Sequence, residues 1–310
     1  MIGTDAKTTV MVAICTYKRN EPLACLLTAL IECAERVRDI ATVGVVVVDD
    51  TAAGAARAVA EGFADRFDLG VTYRISGKAN ISIARNLAME TAMERGDWIA
   101  MTDDDCEPVP DWLKAMLAVQ RQTGADTVTG LMVGRAPPGA PRWITDQPFL
   151  AFDAVQVEDG AAMDTAYTNN SLISSRWLRA HPDIRFDPAL GVIGGEDMVF
   201  FRAAKAAGMK IHFTRDGFVH ENEPASRMTM SYQMRRALWI GNTSFVTSVR
   251  SGANPTRMLV HGAASMVRAT ARPARRLLRA KPVQIHYCAF LLVRSVGVIS
   301  GYFGIKLKHH

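Results

Sequence analysis

The sequence predicts an α/β fold with a mostly parallel central sheet, helices on both faces and a basic helical extension at the C-terminus. Three observations predict it. Short apolar runs alternate with longer amphipathic segments through the first half of the chain. These runs are apolar throughout rather than at every second residue, as in parallel strands that are buried on both faces. The last acidic residue is Glu223, so residues 224–310 carry basic charge alone.

Four runs have the length and composition of buried strands, and the segments between and after them have helical spacing. The strand-like runs are residues 10–15, 43–48, 71–75 and 98–101. The helix-like segments are residues 23–37, 55–67, 81–94 and 112–120. Because ligands of such a sheet bind beyond the carboxyl ends of its strands, we expect the functional site at the rim that follows these runs.

The middle of the chain, from about residue 130 to residue 195, is rich in Pro, Gly and Trp. We expect a ligand-binding loop in this long irregular segment, together with short strands near residues 127–133 and 167–173. Gly194-Gly195-Glu196-Asp197 then begins a helix over residues 198–207, and strand segments follow at 210–213 and 217–220. We place a domain boundary at residue 225, after which the composition becomes basic and helical.

Polar and acidic residues follow three of the predicted strands. They are Thr16-Tyr17-Lys18-Arg19, Asp49-Asp50-Thr51 and Asp103-Asp104-Asp105. Three adjacent carboxylates at the end of a buried strand repel one another and lose hydration. A divalent cation that bridges them to an anionic ligand offsets both costs, and carboxylate oxygens suit Mg²⁺ or Mn²⁺. The alternative is a solvated acidic turn, but the polar ends of the other two strands favour a site.

With these motifs in this order, the chain resembles the family 2 glycosyltransferases of the GT-A fold from residue 12 to about residue 241. Within that family it is most similar to bacterial succinoglycan-type glucosyltransferases, which extend lipid-linked exopolysaccharide units. The motifs that carry the resemblance are Thr16, Val48-Asp49-Asp50, Ala84-Arg85-Asn86, Asp103-Asp104-Asp105 and Gly195-Glu196-Asp197. The resemblance implies a Rossmann-like catalytic domain over residues 1–225. It further implies metal-dependent, inverting transfer of a sugar from a UDP-sugar, in first place UDP-glucose, to a lipid-linked saccharide.

The resemblance also assigns a donor site. Asp103 and Asp105 match the outer acids of the family's DxD motif, which holds Mn²⁺ or Mg²⁺ against the donor diphosphate, and Asp104 faces ribose or sugar hydroxyls. Asp49 matches the residue that accepts a hydrogen bond from the nucleotide base, although an Asp here would also cap a helix well. The other predicted donor contacts are Thr16, Tyr17, Arg19, Arg85, Arg235 and Arg236, and the last two supply positive charge to the departing diphosphate.

Asp197 matches the general base of the inverting members, with Glu196 beside it. Inversion is a single displacement in which a carboxylate takes the proton of the acceptor hydroxyl. The two preceding glycines are expected to let a ligand approach closely. The alternative is that both acids only favour a helix N-terminus. His220 falls where related enzymes place a histidine that completes the metal site, although a lone histidine is more often structural.

The region after residue 225 is predicted to associate with a membrane. Residues 224–310 hold fourteen of the 36 Lys and Arg, and each such residue at an anionic surface contributes about 1 kcal/mol of attraction. Residues 283–304 are largely apolar, but Arg294 near their middle argues against a membrane span. We therefore expect monotopic attachment at the cytoplasmic face of the bacterial inner membrane. The alternative is a basic helical cap packed on the acidic body.

Other interpretations of the sequence are weaker. Nucleic acid would also attract the basic tail, but no recognisable binding module accompanies it. A sugar-phosphate nucleotidyltransferase shares the predicted architecture, but no glycine follows the first strand where its phosphate loop would lie. A non-catalytic membrane-bound scaffold predicts disruption of Asp105 or Asp197, and both are present. The five cysteines lack metal-ligand spacing, which is typical of reduced thiols in a cytosolic protein.

Overall fold

The computed structural model describes residues 7–150 and 157–307. Up to residue 123 its helices and strands are β1 (Thr8–Thr16), α1 (Asn20–Glu35), β2 (Ala41–Asp49), α2 (Arg57–Glu61), β3 (Val71–Ile75), α3 (Ile81–Met93), β4 (Trp98–Asp103), β5 (Cys106–Pro108) and α4 (Trp112–Thr123). They continue with β6 (Thr127–Arg135), α5 (Arg142–Thr145), β7 (Ala162–Met163), β8 (Asn170–Ser174), α6 (Ser175–Ala180), α7 (Glu196–Ala206) and β9 (Ile211–Asn222). Three long helices follow: α8 (Met230–Arg250), α9 (Pro255–Leu278) and α10 (Ile285–Tyr302).

The described strands form one sheet in the order β3-β2-β1-β4-β8-β6-β9-β5, with β7 paired to β9. Strands β1 to β4 are mutually parallel, as expected from strand–helix alternation. Beyond β4 the sheet is mixed, because β8 runs antiparallel to both β4 and β6, whereas β9 is parallel to β6. The predicted α/β class, mostly parallel sheet and C-terminal helices are confirmed.

Alternate residues of the central strands enter two different cores. Val10, Val12 and Ile14 of β1 pack on one face against α1 and α4. Met11 and Ala13 pack on the other face against α3 and α7. A strand covered on both sides needs apolar residues at every position, which explains the continuous apolar runs in the sequence.

Several element boundaries differ from the prediction. The helix predicted over residues 55–67 is only Arg57–Glu61, followed by a 3₁₀ turn at Ala64–Arg66, because Gly62 has a low helix propensity and ends the α-helix. The strand predicted near 167–173 begins at Asn170. The two segments predicted at 210–213 and 217–220 are one continuous strand, β9. Part of the expected ligand-binding loop, residues 151–156, lies outside the described residues.

The three C-terminal helices pack together and against the body. A Cβ atom at Gly241 of α8 would overlap the backbone oxygen of Arg294, so the backbones of α8 and α10 touch. The aromatic rings of Tyr287 and Phe290 on α10 pack edge-on against Phe149 of the body. Within the described residues, α10 is the one helix long and apolar enough to cross a membrane, and a third of that stretch is buried in the protein. These contacts match the alternative of a helical cap and leave the membrane prediction open.

Candidate functional site

The polar ends of three strands meet at one rim of the sheet. In the parallel register, Thr16 at the end of β1 lies opposite Asp49 at the end of β2. On the other side, Cys15 lies opposite Asp103, the last residue of β4. Asp104 follows in the tight turn between β4 and β5. The register therefore confirms that the three polar strand ends share one edge.

Thr16 and Arg19 hold the acidic triplet in place. The Thr16 hydroxyl donates to Asp104 Oδ2 at 2.8 Å, and Arg19 Nη1 donates to Asp104 Oδ1 at 3.0 Å and to Asp105 Oδ2 at 2.7 Å. Burial raises the pKa of Asp104 to about 6, against the opposing effects of Arg19 and Thr16. Burial, followed by the Asp103 charge, also raises the pKa of Asp105. Tyr17, by contrast, is 46% exposed at the rim.

Arg85 connects the acidic triplet to the beginning of α7. Its buried guanidinium donates from Nη2 to Asp103 Oδ1 at 2.9 Å and from Nη1 to Glu196 Oε1. Burial opposes the Arg85 charge, but Asp103 and Glu196 outweigh it and raise the pKa of Arg85. Arg85 lies in the second turn of α3, a helix that Asn80 caps by accepting from Ile83 N at 3.2 Å. One guanidinium thus joins two distant parts of the sequence.

Glu196 and Asp197 are the first two residues of α7. Burial raises the pKa of Asp197 to about 6, helped by the Glu196 charge and opposed by Arg85. Asp197 Oδ1 accepts from Met198 N at 2.7 Å, and no donor among the described residues reaches its Oδ2. Glu196 Oε2 is buried, and no group in the described part of the chain hydrogen-bonds to it. The pair therefore combines a structural carboxylate, Glu196, with a carboxylate at Asp197 that burial makes more basic.

The glycines before α7 serve a different purpose from the one predicted. Gly194 and Gly195 have φ values of 92° and 81°, which favour glycine. A Cβ at Gly194 would lie 2.5 Å from the Trp239 ring, and one at Gly195 would lie 2.5 Å from Thr247. These glycines thus make room for α8 rather than for a ligand. The indole Nε1 of Trp239 also donates to Ile193 O at 2.7 Å, which fixes the loop before α7.

A second group of charges adjoins Asp105, and of its members sequence reasoning named only Arg236. Arg227 Nη1 lies 3.2 Å from Glu221 and 3.0 Å from Glu223, and Arg227 Nη2 lies 4.0 Å from Asp105. Arg236 Nη1 lies 3.5 Å from Glu223. Burial, Glu223 and Asp105 raise the pKa of Glu221 to about 7. The sequence does carry a signal, because Glu221, Glu223 and Arg227 lie close together in the chain directly after the predicted strand segment 217–220.

His220 is not brought to the predicted metal site. It lies opposite Glu107 in the register of β5 and β9, with its ring against Phe218. Burial and the nearby Arg135 lower the pKa of His220. Side chains alternate along a strand, so Glu221, not His220, faces Asp105. Across residues 7–150 and 157–307, no three His, Cys, Asp or Glu side chains are grouped to hold a metal by themselves.

Asp49 also differs from its prediction. Its Oδ1 accepts from Thr51 N at 2.8 Å and from Thr51 Oγ1 at 2.7 Å. Its Oδ2 accepts from Ala56 N at 2.7 Å and from the Tyr73 hydroxyl at 2.8 Å. The residue is fully buried, so both carboxylate oxygens are committed within the protein. Asp49 organises the loop after β2, as in the capping alternative, and is not available to a nucleotide base.

The predicted arginine pair on α8 is split. Arg236 reaches Glu223, as described above, whereas Arg235 is exposed one position earlier on the helix. Tyr167, in the middle segment of the chain, is half-exposed and lies near Asp197. Partial burial and the Asp197 charge both raise the pKa of the Tyr167 hydroxyl. The structure thus brings together Thr16, Arg19, Arg85, the acidic triplet, Glu196, Asp197 and Arg236.

Comparison with known proteins identifies the family. Residues 11–181 match the family described as Glycosyl transferase family 2. The chain is a family 2 glycosyltransferase. It is 32% identical over 298 residues to the succinoglycan biosynthesis protein ExoM of Rhizobium meliloti (strain 1021), a match that covers 95% of this chain and 93% of ExoM. The enzyme is therefore related to exopolysaccharide synthesis, and the nucleotidyltransferase and scaffold alternatives are set aside.

Solved structures agree on the fold. The mannosyltransferase PcManGT of Pyrobaculum calidifontis, in complex with GDP-Man and Mn²⁺, matches with a TM-score of 0.62 at 17% identity over 98% of this chain and 89% of its own. S. aureus TarS 1–349, in complex with UDP, matches with a TM-score of 0.52 at 16% identity over 96% of this chain and 91% of its own. At sequence identities this low, the structural similarity shows the GT-A fold alone.

Proposed function

We propose that the enzyme transfers a sugar, with inversion, from a UDP-sugar, in first place UDP-glucose, to a lipid-linked saccharide, and that it uses a divalent cation. The observation that carries the proposal is the ion pairing of Arg85 with both Asp103 and Glu196. It supports placing the cation site and the base, Asp197, around one pocket. A single displacement needs the leaving diphosphate and the acceptor hydroxyl to be held in such proximity.

The charge of the pocket supports a cation. Seven carboxylates lie around four guanidiniums, so acids exceed bases by three; the acids are Asp103, Asp104, Asp105, Glu196, Asp197, Glu221 and Glu223, and the bases are Arg19, Arg85, Arg227 and Arg236. Mg²⁺ and Mn²⁺ are commonly held by one or two carboxylates together with substrate phosphates. Asp103 and Asp105 meet that requirement without a third protein ligand. A bound cation would neutralise charge on the departing diphosphate.

The neighbouring side chains orient these acids and the donor. Thr16 and Arg19 fix Asp104 and Asp105 through the hydrogen bonds described above. Asp104 would then meet ribose or sugar hydroxyls, and the exposed ring of Tyr17 would cover the nucleotide. Arg236 is better placed than Arg235 to support the leaving diphosphate, because only Arg236 reaches the acidic cluster among the described contacts. Preorganised positive charge of this kind is most effective where water is excluded.

Asp197 would take the proton of the acceptor hydroxyl. A general base works best when its pKa lies near the working pH, and burial brings Asp197 from the usual 3.8 to about 6. Glu196 would position this base through Arg85 rather than react itself. The free Oδ2 of Asp197 and the neighbouring Tyr167 hydroxyl mark the side from which the acceptor would approach.

Related proteins support a nucleotide-sugar donor. Structures similar in fold contain UDP-GlcNAc in TarS and GDP-Man with Mn²⁺ in PcManGT. The similarity to ExoM, whose name places it in succinoglycan biosynthesis, favours a surface polysaccharide as the product. A lipid-linked acceptor would bring the enzyme to the cytoplasmic face of the membrane, and the acid-free basic helices suit peripheral attachment there.

Calorimetric titration with UDP and GDP, each with and without Mn²⁺, tests the donor and the cation together. We expect Mn²⁺ to tighten UDP binding to the unchanged protein and GDP to bind more weakly. Asp105→Asn should remove the Mn²⁺ effect, whereas the control Asp111→Asn, at an exposed acid that caps nothing, should keep it. Binding of UDP that is indifferent to Mn²⁺, or an Asp105→Asn protein that behaves as the control, would contradict the proposal.

A further inference from the structure

A large basic cavity lies between α8, α9 and α10, outside the candidate donor site. Its volume is about 760 Å³. Seven Lys and Arg side chains line it, and none of the lining residues is acidic: Arg268, Arg272, Arg275, Arg276, Arg279, Lys281 and Arg294. Ser244 and Ser248 of α8 form one wall. At 1.5 Å per residue along a helix, this wall begins about 12 Å beyond Arg236 of the donor site.

The positive charge of this cavity has no acidic counterpart. No Asp or Glu occurs in the sequence after Glu223, and the salt bridges of the described residues include none of these seven side chains. Arg272 donates from Nη2 to the Gln284 side chain at 3.1 Å, yet its buried Nε has no partner among the described atoms. Like charges gathered in this way repel one another. An anion in the cavity would remove both the repulsion and the unpaired donor.

The cavity adjoins exposed apolar side chains. Leu277 and Leu278 at the end of α9 are 71% and 88% exposed, and Ile285 at the start of α10 is 66% exposed. They flank Arg279 and Lys281 in the short connection between the two helices. Exposed leucines grouped at one end of a helix pair indicate contact with an apolar phase. The anion that fits here is therefore the head of an amphiphile.

We infer that this cavity binds the phosphate group of a membrane lipid. Guanidinium groups match phosphate oxygens in geometry and charge, and serine hydroxyls add neutral donors. The leucine-bearing end of the helix pair would lie in the interface while the phosphate entered between α9 and α10. Two lipids carry such a group: an anionic phospholipid and a lipid-linked diphosphate saccharide. The inference rests on the proposed function only in naming the second of these.

The test uses the full chain without added metal and a variant that spares the fold. Arg268→Gln with Arg294→Gln removes two exposed charges from the cavity, and Arg38→Gln with Arg121→Gln removes two exposed charges from the body, outside the C-terminal helices. The probes are inorganic pyrophosphate, farnesyl diphosphate in neutral detergent, and vesicles of phosphatidylcholine with and without phosphatidylglycerol. We expect the cavity variant to lose affinity by about tenfold for each guanidinium removed, and the control to bind as the unchanged protein does.

The probes separate the two sources of phosphate. Cavity-dependent binding to phosphatidylglycerol vesicles supports a phospholipid head group, and cavity-dependent preference for farnesyl diphosphate supports a lipid-linked diphosphate. Equal losses in the cavity variant and the control, or no binding of any probe by the unchanged protein, would overturn the inference. UDP titration with Mn²⁺ should be the same for both variants, so a failure of the donor site is distinguishable from a failure of the cavity.

Discussion

Replacement of Glu221 by Gln should stabilise the protein at neutral and alkaline pH. The Glu221 side chain is 15% exposed, is repelled by Glu223 and Asp105, and receives only partial compensation from Arg236 and Arg227. Glutamine keeps the shape and can still accept from Arg227, but it carries no charge. The substitution therefore removes the desolvation and repulsion of the carboxylate and retains its packing.

The magnitude follows from the pKa of Glu221. Raising it from 4.5 to about 7 makes the charged form about 3 kcal/mol less favourable in the folded protein than in the unfolded chain. Between these two values the folded state holds a proton that the unfolded state has lost, so stability falls as pH rises through the window. The gain from Glu221→Gln should therefore be near zero below pH 4.5 and approach its full size above pH 7.

Urea denaturation across this pH range measures the effect. The control is Glu61→Gln, at an exposed acid whose pair with Arg57 lies on the surface, and it should change stability by less than about 1 kcal/mol at every pH. A Glu221→Gln protein that is less stable than the unchanged protein above pH 7, or whose difference does not vary with pH, would refute the reasoning. The first result would mean that the ion pairs of Glu221 outweigh the cost of burying the acid, and the second that folding does not shift the pKa of Glu221.

Two further predictions concern the base and the helix packing. Asp197→Asn should keep Mn²⁺-dependent UDP binding but lower sugar transfer by a factor of about 10² or more. In the unchanged enzyme, the transfer rate at limiting substrate should fall as the pH drops below the Asp197 pKa of about 6. A transfer rate that does not change with pH would remove Asp197 from the base role. Gly241→Ala should cost about 1–3 kcal/mol of stability by separating α8 from α10 at Arg294. Thermal denaturation checks this against Gly62→Ala, whose added Cβ makes only ordinary contacts, and equal melting temperatures would contradict the packing.

The strands and helices that depend on local hydrophobic patterns could be predicted from the sequence. Continuous apolar runs located β1 to β4, and the rule that ligands bind at strand ends brought Thr16 and Asp103 to one rim. The pairing of Arg85 with Glu196 could not be predicted, because 111 residues separate the two and no local periodicity relates them. Their connection depends on the position of α7, which packs against α8 and shares a hydrophobic core with α3.

At two predicted site residues, His220 and Asp49, the structure shows contacts that the sequence did not indicate, for distinct physical reasons. His220 was expected at the metal site, but the face of a strand on which a residue lies depends on exact register. That register was not visible, because β9 was read as two separate segments. Asp49 was assigned to the nucleotide base from the family resemblance, yet the donors that saturate it come from Thr51, Ala56 and Tyr73. Only the tertiary arrangement shows that its acceptor capacity is already used.

The contact of Trp239 and Thr247 with the glycines before α7 affects how shortened proteins should be interpreted. Helix α8 supports the loop that precedes α7 and Asp197, and α10 in turn braces α8 at Gly241. A protein cut after Asn254 would lose this brace along with the basic helices. Loss of turnover in such a protein could therefore come either from missing lipid attachment or from an Asp197 that α8 no longer holds in position. Point substitutions on the outer surface of α9 leave the contact between α8 and α10 intact.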